Sequence, residues 1–365
     1  MKRCTQMQIV SFLVCVIGLV ASPVGAANVT WVTLNEMETA SAAAAGAGYT
    51  ESPDIGYTNL LKGLGHNVTR FFTHEPLTVG EISQLNASDL VIIGRAVNSG
   101  EYEPSADWNT QVTAPVMVMS GYTLRPSRLN LSDGETMVDI AGPTRLLAHA
   151  PSHPIFDGVS LNGSNETVNP ILDVVTDFLG THRGASINMA NVVGGNVLAS
   201  VTSDGGGTAG GFVIAEWETG AAVNNGEILA GPRMTFLSGS REISGQPVAT
   251  AGIFDLSQDG QQLFVNAVNY LSGETATLIP GDADGNGTVE LLDFEIIRDN
   301  FNMSVTSRSL GDLTFDGIVD FDDFRQWKDN FPGANGAVGA AASVPEPASM
   351  VLVFLTLPWI LRRRK

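Results

Sequence analysis

Residues 281–331 contain one sequence pattern twice, with an offset of 30 residues. Three short stretches recur at that offset: Gly281-Asp282 as Gly311-Asp312, Asp293-Phe294 as Asp323-Phe324, and Asp299-Asn300-Phe301 as Asp329-Asn330-Phe331. Self-similarity at a fixed period indicates two copies of one supersecondary unit. No other feature restricts the fold so narrowly, because both copies must form the same local structure.

The first copy opens with a loop whose oxygen-bearing residues are spaced for a cation. Loop positions 1, 3, 5, 7, 9 and 12 are Asp282, Asp284, Asn286, Thr288, Glu290 and Asp293. Gly287 permits the sharp turn at position 6, Thr288 offers its backbone carbonyl, and Glu290 acts through water. This is the EF-hand-type arrangement, in which six or seven oxygens surround calcium at about 2.3–2.6 Å. We predict a calcium site whose folding is coupled to ion binding, because the carboxylates repel one another without a cation.

The second copy supplies the equivalent set: Asp312, Thr314, Asp316, Ile318, Asp320 and Asp323. Thr314 stands where the first copy has Asp284, so we expect the second of two calcium ions to bind more weakly. After the first loop, Phe294, Ile297 and Phe301 follow the i, i+3, i+7 spacing of a helix with one buried face. Phe324, Trp327 and Phe331 repeat that pattern after the second loop.

These paired loops resemble the type I dockerin family over about 50 residues (281–331). The resemblance rests on the period, the single helix after each loop and aspartate at position 12. It implies a small all-α, EF-hand-type pair that two calcium ions fold. It also implies a cohesin-like or other surface protein as partner, and many dockerin proteins degrade polysaccharides. The alternative, an acidic solvated linker, explains neither the glycines at position 6 nor the period.

Both ends of the chain are predicted to be targeting segments. Residues 1–26 have a basic start at Lys2 and Arg3, an apolar run and a small residue, Ala26, where a signal peptidase would cut. The alternative is an uncleaved anchor, although the apolar run is shorter than the roughly 20 residues of a membrane span. A lipoprotein attached through Cys15 is disfavoured, because Val14 stands where a small residue is needed.

The C-terminal residues 344–365 join a Pro-Glu-Pro motif, an apolar stretch at 348–361 and four terminal basic residues. This order resembles the PEP-CTERM tail, which in that family is a sorting signal that an exosortase recognises and cleaves. An ordinary C-terminal membrane anchor is the alternative. Either interpretation places the body of the protein outside the cytoplasm, at the cell surface, in the outer envelope or in the medium, with residues 348–361 in the membrane before processing.

Charge and cysteine content exclude several functions. The chain has 19 lysine and arginine residues against 38 aspartate and glutamate residues, a formal net charge of −19. Such a chain repels phosphates, so nucleic acid is not an expected partner. Its two cysteines, Cys4 and Cys15, both lie in the predicted signal peptide. A mature form therefore has no disulfide, thiolate nucleophile or cysteine-bound zinc.

Residues 27–273 alternate strand-like and helix-like patterns. We predict strands at 29–34, 67–72, 89–94 and 115–121, and helices at 57–64, 79–85 and 258–271. The unbroken apolar run at 89–94 is typical of a strand buried on both faces. The alternation predicts an α/β fold with a three-layer parallel sheet, and ligands at the carboxyl ends of its strands. Residues 274–280 are a linker to the repeats, and residues 333–343 are a flexible spacer.

The order of these pieces resembles the class I glutamine amidotransferase-like superfamily, especially its ThuA-like branch, and this resemblance implies that the three-layer sheet is flavodoxin-like. The resemblance is carried by the opening strand, by residues 65–68 and 89–93, by 153–159, by the 231–237 strand and by the closing helix. Glutaminases of that superfamily place a cysteine after the fourth strand. This chain has Met119-Ser120-Gly121-Tyr122 there, so a thiolate mechanism is excluded.

A serine mechanism would require Ser120 with His149 or His153 as base and Asp157 or Glu216 as orienting group. The favoured alternatives are a strand-end hydroxyl for Ser120 and a proline-fixed loop for the histidines, which could also be a metal pair. Glu216-Trp217-Glu218 could line a sugar platform, although a tryptophan packed into its own domain is favoured. The glycine-rich stretch 205–211 is predicted to be a flexible hairpin.

Two functions follow from these features. The first is a non-enzymatic, exported surface or binding protein that assembles through its calcium module. The second is an extracellular hydrolase or other carbohydrate-active protein in polysaccharide breakdown. The missing nucleophile and the intact cation loops favour the first.

Overall fold

The computed structural model describes residues 26–332 with ten gaps: 74, 141–143, 168, 173, 176–181, 203–208, 274–278, 285–287, 306–307 and 315–317. Four predicted segments lie wholly or mostly outside the described residues: the signal peptide except for Ala26, most of the linker, the spacer and the tail. So do two predicted calcium ligands, Asn286 and Asp316. Among the described residues, no helix has the length and apolar character needed to cross a lipid bilayer.

The described chain contains strands and helices in a mixed α/β arrangement. The strands are β1 Asn28–Thr33, β2 Asn67–Phe72, β3 Leu90–Ile93, β4 Val116–Val118, β5 Met137–Asp139, β6 Leu146–Ala148, β7 Val174–Val175, β8 His182–Arg183, β9 Ser186–Asn188, β10 Asn196–Val201, β11 Phe212–Trp217 and β12 Arg233–Phe236. The helices are α1 Ala42–Gly46, α2 Ile55–Gly63, α3 Val79–Asn86, α4 Gln258–Ser272, α5 Leu291–Asp299 and α6 Phe321–Asn330.

Five strands form a parallel half-sheet in the order β2-β1-β3-β4-β12. Val32 pairs with Ile93, and Ile93 pairs with Val118, so the carboxyl ends of these strands lie at one edge. β3 is buried at every position, as its unbroken apolar run predicts. This half of the sheet is compatible with a flavodoxin-like α/β fold.

The rest of the sheet corrects the prediction of a parallel sheet. β12, β11, β10 and β6 are successive neighbours, and each of these three pairings is antiparallel. β9 pairs antiparallel with β11 and with β5. The physical reason is connection length: β10 and β11 are joined by residues 202–211, too few for the crossover that parallel neighbours need. β10 and β11, which flank the glycine-rich stretch, are antiparallel neighbours, as a hairpin requires, and residues 203–208 of the stretch lie outside the described residues.

The closing helix α4 packs against the parallel half of the sheet. Ser257 caps its first turn by accepting a hydrogen bond from the Gly260 amide, and Gly273, with φ 73°, ends it in the left-handed conformation that favours glycine. Its Phe264 contacts Tyr57 of α2 edge to face, with ring centroids 5.4 Å apart. The three helices predicted in this region are confirmed within two residues at each end.

A second hydrophobic core lies at the C-terminal end of the described chain. α5 and α6 pack around buried Ile297, Leu313, Val319 and Trp327, a set that shares no residue with the core of the large sheet. The Phe294 and Trp327 rings, one from each helix, lie 5.0 Å apart. A helix follows each predicted loop, as the spacing of the aromatic residues indicates.

Candidate metal centre and candidate catalytic residues

Three carboxylates of the first loop converge. Asp282, Asp284 and Asp293 each offer one oxygen, and these oxygens lie within 4.8 Å of one another. Asp282 and Asp293 are 2% and 0% exposed. Buried carboxylates at this separation repel one another unless a cation or hydrogen-bond donors offset their charge. The cluster is therefore a site that could hold a metal ion.

Backbone amides fix the carboxylate that closes the first loop. Oδ1 of Asp293 accepts hydrogen bonds from the amides of Ala283 at 2.7 Å and Asp284 at 3.2 Å. Its Oδ2 accepts from the Glu290 amide at 2.7 Å and so caps the start of α5. Asp293 thus joins the beginning of the loop to the helix that follows it.

The second loop repeats this geometry. Oδ1 of Asp323 accepts from the Thr314 amide at 2.8 Å, and Oδ2 accepts from the Asp320 amide at 2.7 Å. Asp312 and Asp323 are 3% and 0% exposed. The Thr314 hydroxyl adds a 3.0 Å hydrogen bond to Oδ1 of Asp323, an interaction that Asp284 cannot provide in the first copy.

Each loop begins at a glycine pressed against the helix of the other copy. Gly281, at φ 96°, leaves only 3.1 Å between an added Cβ and the Trp327 Cα. Gly311, at φ 98°, would bring a Cβ to 2.8 Å from the Ile297 Cα. Both positions therefore require glycine for conformation and for space. The start of each loop therefore packs closely against the helix of the other copy.

The chemistry of the donor set decides which ions fit. The described donors are carboxylate, hydroxyl and backbone carbonyl oxygens, which suit hard cations such as calcium, magnesium and manganese. No thiolate or imidazole joins the first-loop cluster among the described residues. The residues present therefore fit a hard divalent cation.

The catalytic candidates of the large domain fall into separate places. His153 Nε2 lies 3.4 Å from Oε2 of Glu216, and Tyr270 donates its hydroxyl to the same oxygen at 3.2 Å. His149 is bonded elsewhere, with its Nε2 2.8 Å from the Ser200 hydroxyl. The predicted pairing of His153 with Glu216 is therefore present, whereas His149 takes no part in it.

Ser120 lies apart from this pair. Glu216 pairs with Met234, which pairs with Met117, and Ser120 is three residues beyond Met117. Ser120 lies two strand spacings across the sheet from Glu216 and three residues further along. Their Cα atoms are therefore about 14 Å apart. The Ser120 side chain is fully buried, and its hydroxyl has no hydrogen-bond partner among the described residues. The predicted serine, histidine and carboxylate set is not assembled.

Trp217 is packed into its own domain, which is the alternative that the sequence analysis favours over a sugar platform. It is 2% exposed, and its Nε1 donates to the Val193 carbonyl at 2.7 Å. Its ring face is therefore closed to a sugar. Glu216 remains half-buried at the side of α4, where Tyr270 and His153 flank it.

Two buried acidic residues have roles that no sequence pattern indicated. Asp54 accepts hydrogen bonds from Trp31 Nε1 at 2.9 Å, from the Thr33 hydroxyl at 2.8 Å and from Arg70 at 2.8 Å. Asp255 accepts from the Tyr57 hydroxyl at 2.6 Å. The partners named here lie 16 to 198 residues away along the chain, so local spacing does not reveal them; Ser52, two residues from Asp54, also donates its hydroxyl to Asp54.

No protein-family model matches this chain, and no curated protein matches it. Among solved structures it is similar to the cytoplasmic protein STM3548 from Salmonella typhimurium, with 15% sequence identity and a TM-score of 0.38. That alignment covers 67% of this chain and 98% of the other.

Proposed function

We propose that residues 281–331 form a calcium-dependent binding module of an exported, non-enzymatic surface protein. The observation that carries the proposal is the convergence of Asp282, Asp284 and Asp293 within 4.8 Å, at the loop positions where an EF-hand-type site has its carboxylates. The repeat of the same amide-bonded closing carboxylate at Asp323 supports a second site.

Calcium is the proposed ion because the ligands would all be oxygen atoms from one flexible loop. Asn286, Thr288 and Glu290 would add an amide oxygen, a backbone carbonyl and a water-linked carboxylate to the three aspartates. Six to seven oxygens in a flexible loop suit calcium, whereas magnesium requires strict octahedral geometry and retains its waters. In the second loop Asp312, Asp316, Ile318, Asp320 and Asp323 would act with Thr314, at lower affinity.

The partner and location are proposed from the resemblances. A dockerin-like pair would bind a cohesin-like or other surface protein. A PEP-CTERM-like tail would be processed by an exosortase after export, with residues 348–361 in the membrane until then. The large domain is proposed to be a three-layer, flavodoxin-like member of the amidotransferase-like superfamily that has no thiolate chemistry.

An extracellular hydrolase is the second candidate function. One observation favours it: His153 and Glu216 lie 3.4 Å apart, a base and a carboxylate within reach of one another. Such a pair could activate water without Ser120. Release of sugar from a glycan panel by the purified chain, lost in both His153→Ala and Glu216→Gln, would support this function. Absence of turnover would leave the binding function.

The main test is calorimetric titration of the purified chain with calcium chloride. We expect Asp293→Asn to weaken binding at the first loop at least about tenfold, because it removes a ligand charge. Glu295→Gln is the matched control, since it removes the same charge from the exposed side of α5. No heat of binding, together with a circular dichroism spectrum that calcium leaves unchanged, would contradict the proposal.

A further inference from the structure

A buried arginine stands at the carboxyl edge of the parallel half-sheet. Arg95 follows the last residue of β3 by two positions and is 3% exposed. Ser120, which is 0% exposed, follows the last residue of β4 by two positions. Because those last residues, Ile93 and Val118, pair with one another, Arg95 and Ser120 occupy neighbouring positions at this edge. This is the edge at which a parallel sheet places its ligands.

Both side chains have hydrogen-bonding groups that the described part of the chain leaves unused. Arg95 Nε and the Ser120 hydroxyl are each buried without a partner among the described residues. A buried polar atom without a partner costs free energy, so such atoms are rare in folded proteins. Two of them at neighbouring positions therefore indicate a place where a ligand supplies the missing partners.

The carboxylate that pairs with Arg95 comes from an exposed loop. Glu242 Oε2 lies 3.0 Å from Arg95 Nη2, and the two side chains are 29% and 3% exposed. The base of the loop is closed by Ser240, which donates to the Ile253 carbonyl and accepts from the Gly252 amide, while residues 244–247 at the tip are exposed. The Glu242 side chain can therefore turn into solvent without unfolding of the sheet.

The arginine itself is fixed by its surroundings. A Cβ added at Gly239 would lie 3.2 Å from the Arg95 Cβ, and one added at Gly252 would lie 3.7 Å from it. The Tyr122 ring covers the guanidinium, with 5.4 Å from Arg95 Cζ to the ring centroid, and Arg125 Cζ lies 5.5 Å from the same ring. Two guanidinium groups on one aromatic ring make a locally positive site that favours an anion.

We propose that Arg95 anchors a binding site for a small carboxylate, and that the Glu242 carboxylate occupies this site until a ligand displaces it. The class of ligand follows from the resident group, since a guanidinium binds a ligand carboxylate as it binds that of glutamate. The Ser120 hydroxyl donates to a second oxygen of the ligand, which favours a hydroxy acid over a simple acid. The site belongs to the large domain and does not depend on the calcium loops.

The test is a titration of the full-length chain with sodium glycolate at constant ionic strength, followed by saturation-transfer difference NMR of the glycolate protons. Sodium acetate serves as the probe without a hydroxyl, and sodium phosphate as a competing anion without a carboxylate. The variants are Arg95→Gln, Glu242→Ala and Ser120→Ala. Glu166→Ala is the matched control, because Glu166 is 23% exposed and pairs with Arg145 beside β6, the edge strand of the antiparallel half.

We expect saturable binding of glycolate to wild type with a Kd of roughly 1–10 mM, since so small a ligand makes few contacts. Glu242→Ala should bind at least about tenfold more tightly, because no internal carboxylate competes and a hydrogen bond to a charged group is worth roughly that factor. Arg95→Gln should abolish binding, and Ser120→Ala should reduce the affinity for glycolate to that for acetate. Glu166→Ala should match wild type.

No saturable binding to wild type would overturn the proposal, even if Glu242→Ala binds, because Arg95 and Glu242 would then be an internal ion pair only. Equal affinities of wild type and Glu242→Ala, or binding retained in Arg95→Gln, would overturn it as well. Phosphate that competes as well as acetate would overturn the carboxylate assignment, and equal affinities for glycolate and acetate would overturn the role of Ser120.

A second substitution covers the case in which Arg95→Gln does not fold, as judged by circular dichroism. Arg95→Lys keeps the charge but not the planar fork of donors. It should bind glycolate at least about tenfold more weakly than wild type, since one charge-assisted hydrogen bond is worth roughly that factor. Unchanged affinity in Arg95→Lys would overturn the proposal.

Discussion

The Tyr57 hydroxyl donates a 2.6 Å hydrogen bond to Oδ1 of Asp255, which joins α2 to the segment leading into α4. The Gly239 amide donates to the same oxygen at 2.9 Å. Asp255 is 1% exposed, and burial raises its pKa to about 7. The pKa of Tyr57 is raised as well, first by burial and then by the charge of Asp255.

Asp255 should make the stability of the large domain depend on pH. The pKa of Asp255 in the folded state lies above its ordinary value, so the folded state binds the proton more tightly than the unfolded state does. The resulting stability is fully present below about pH 4 and is lost as pH rises towards about 7, by at most about 1.4 kcal/mol per pH unit.

Denaturant unfolding at several pH values checks this expectation. The difference in unfolding free energy between wild type and Asp255→Asn should shrink or reverse as pH rises through that window. Asp157→Asn changes an exposed aspartate and should run parallel to wild type at every pH. Parallel curves for wild type and Asp255→Asn would mean that the Asp255 pKa is not raised.

Loss of Arg70 should strongly destabilise the sheet. Its Nη2 lies 2.8 Å from Oδ1 of Asp54, and the two side chains are 6% and 0% exposed. Arg70→Met leaves a buried carboxylate without its counter-ion, which costs about 3–5 kcal/mol. The measurement is the free energy of unfolding in urea.

The exposed ion pair between Lys62 of α2 and Glu38 supplies the control for Arg70. Lys62 and Glu38 are 38% and 53% exposed, so Lys62→Met should cost less than about 1 kcal/mol. Similar losses for the two substitutions would show that the Arg70 and Asp54 pair is not effectively buried.

Thr314→Asp should strengthen calcium binding at the proposed second site. The Thr314 hydroxyl donates to Asp323 and adds no charge, whereas the first copy has Asp284 at this position. A further carboxylate should raise calcium affinity at the second loop by about tenfold, since affinity follows the ligand charge count. Thr314→Asn provides the shape without the charge and should give a smaller gain in the same titration. Equal gains would assign the effect to shape.

Ser120→Ala should not lower the stability of the protein. The Ser120 hydroxyl is buried without a hydrogen-bond partner among the described residues, so its removal should leave the unfolding free energy unchanged or raise it by up to about 1 kcal/mol. Ser238 is the matched comparison, because it lies 3.0 Å from the Tyr57 hydroxyl, and Ser238→Ala should cost about 1 kcal/mol. Any turnover that depends on Ser120 would contradict its separation from His153.

Local patterns predicted the parallel half of the fold well. The strands expected at 29–34, 67–72 and 89–94 are present as β1, β2 and β3, because continuous β-branched and apolar runs are a local signal. The antiparallel half was not predicted. Strand direction depends on which strand becomes the neighbour, and the glycine-rich link between β10 and β11 predicts a hairpin without specifying how that hairpin joins the sheet.

The sequence likewise predicts some features of the candidate sites and not others. Loop spacing predicted that Asp282, Asp284 and Asp293 would converge, since all three belong to one twelve-residue loop. The contact of His153 with Glu216 was one of several pairings left open, and the separation of Ser120 from them required the strand order. Arg95 could not be assigned from sequence, because its partner Glu242 lies 147 residues later in the chain.

The hydrophobic residues around α5 and α6 belong to a different cluster from those around the large sheet. Heating can therefore melt the C-terminal unit as a separate cooperative step, with the first part of the protein still intact, and on the proposed function chelation would do the same. On the proposed function, a fall in the surrounding calcium concentration would release a bound partner reversibly, and the remaining molecule would need to reorder only some fifty residues to bind again.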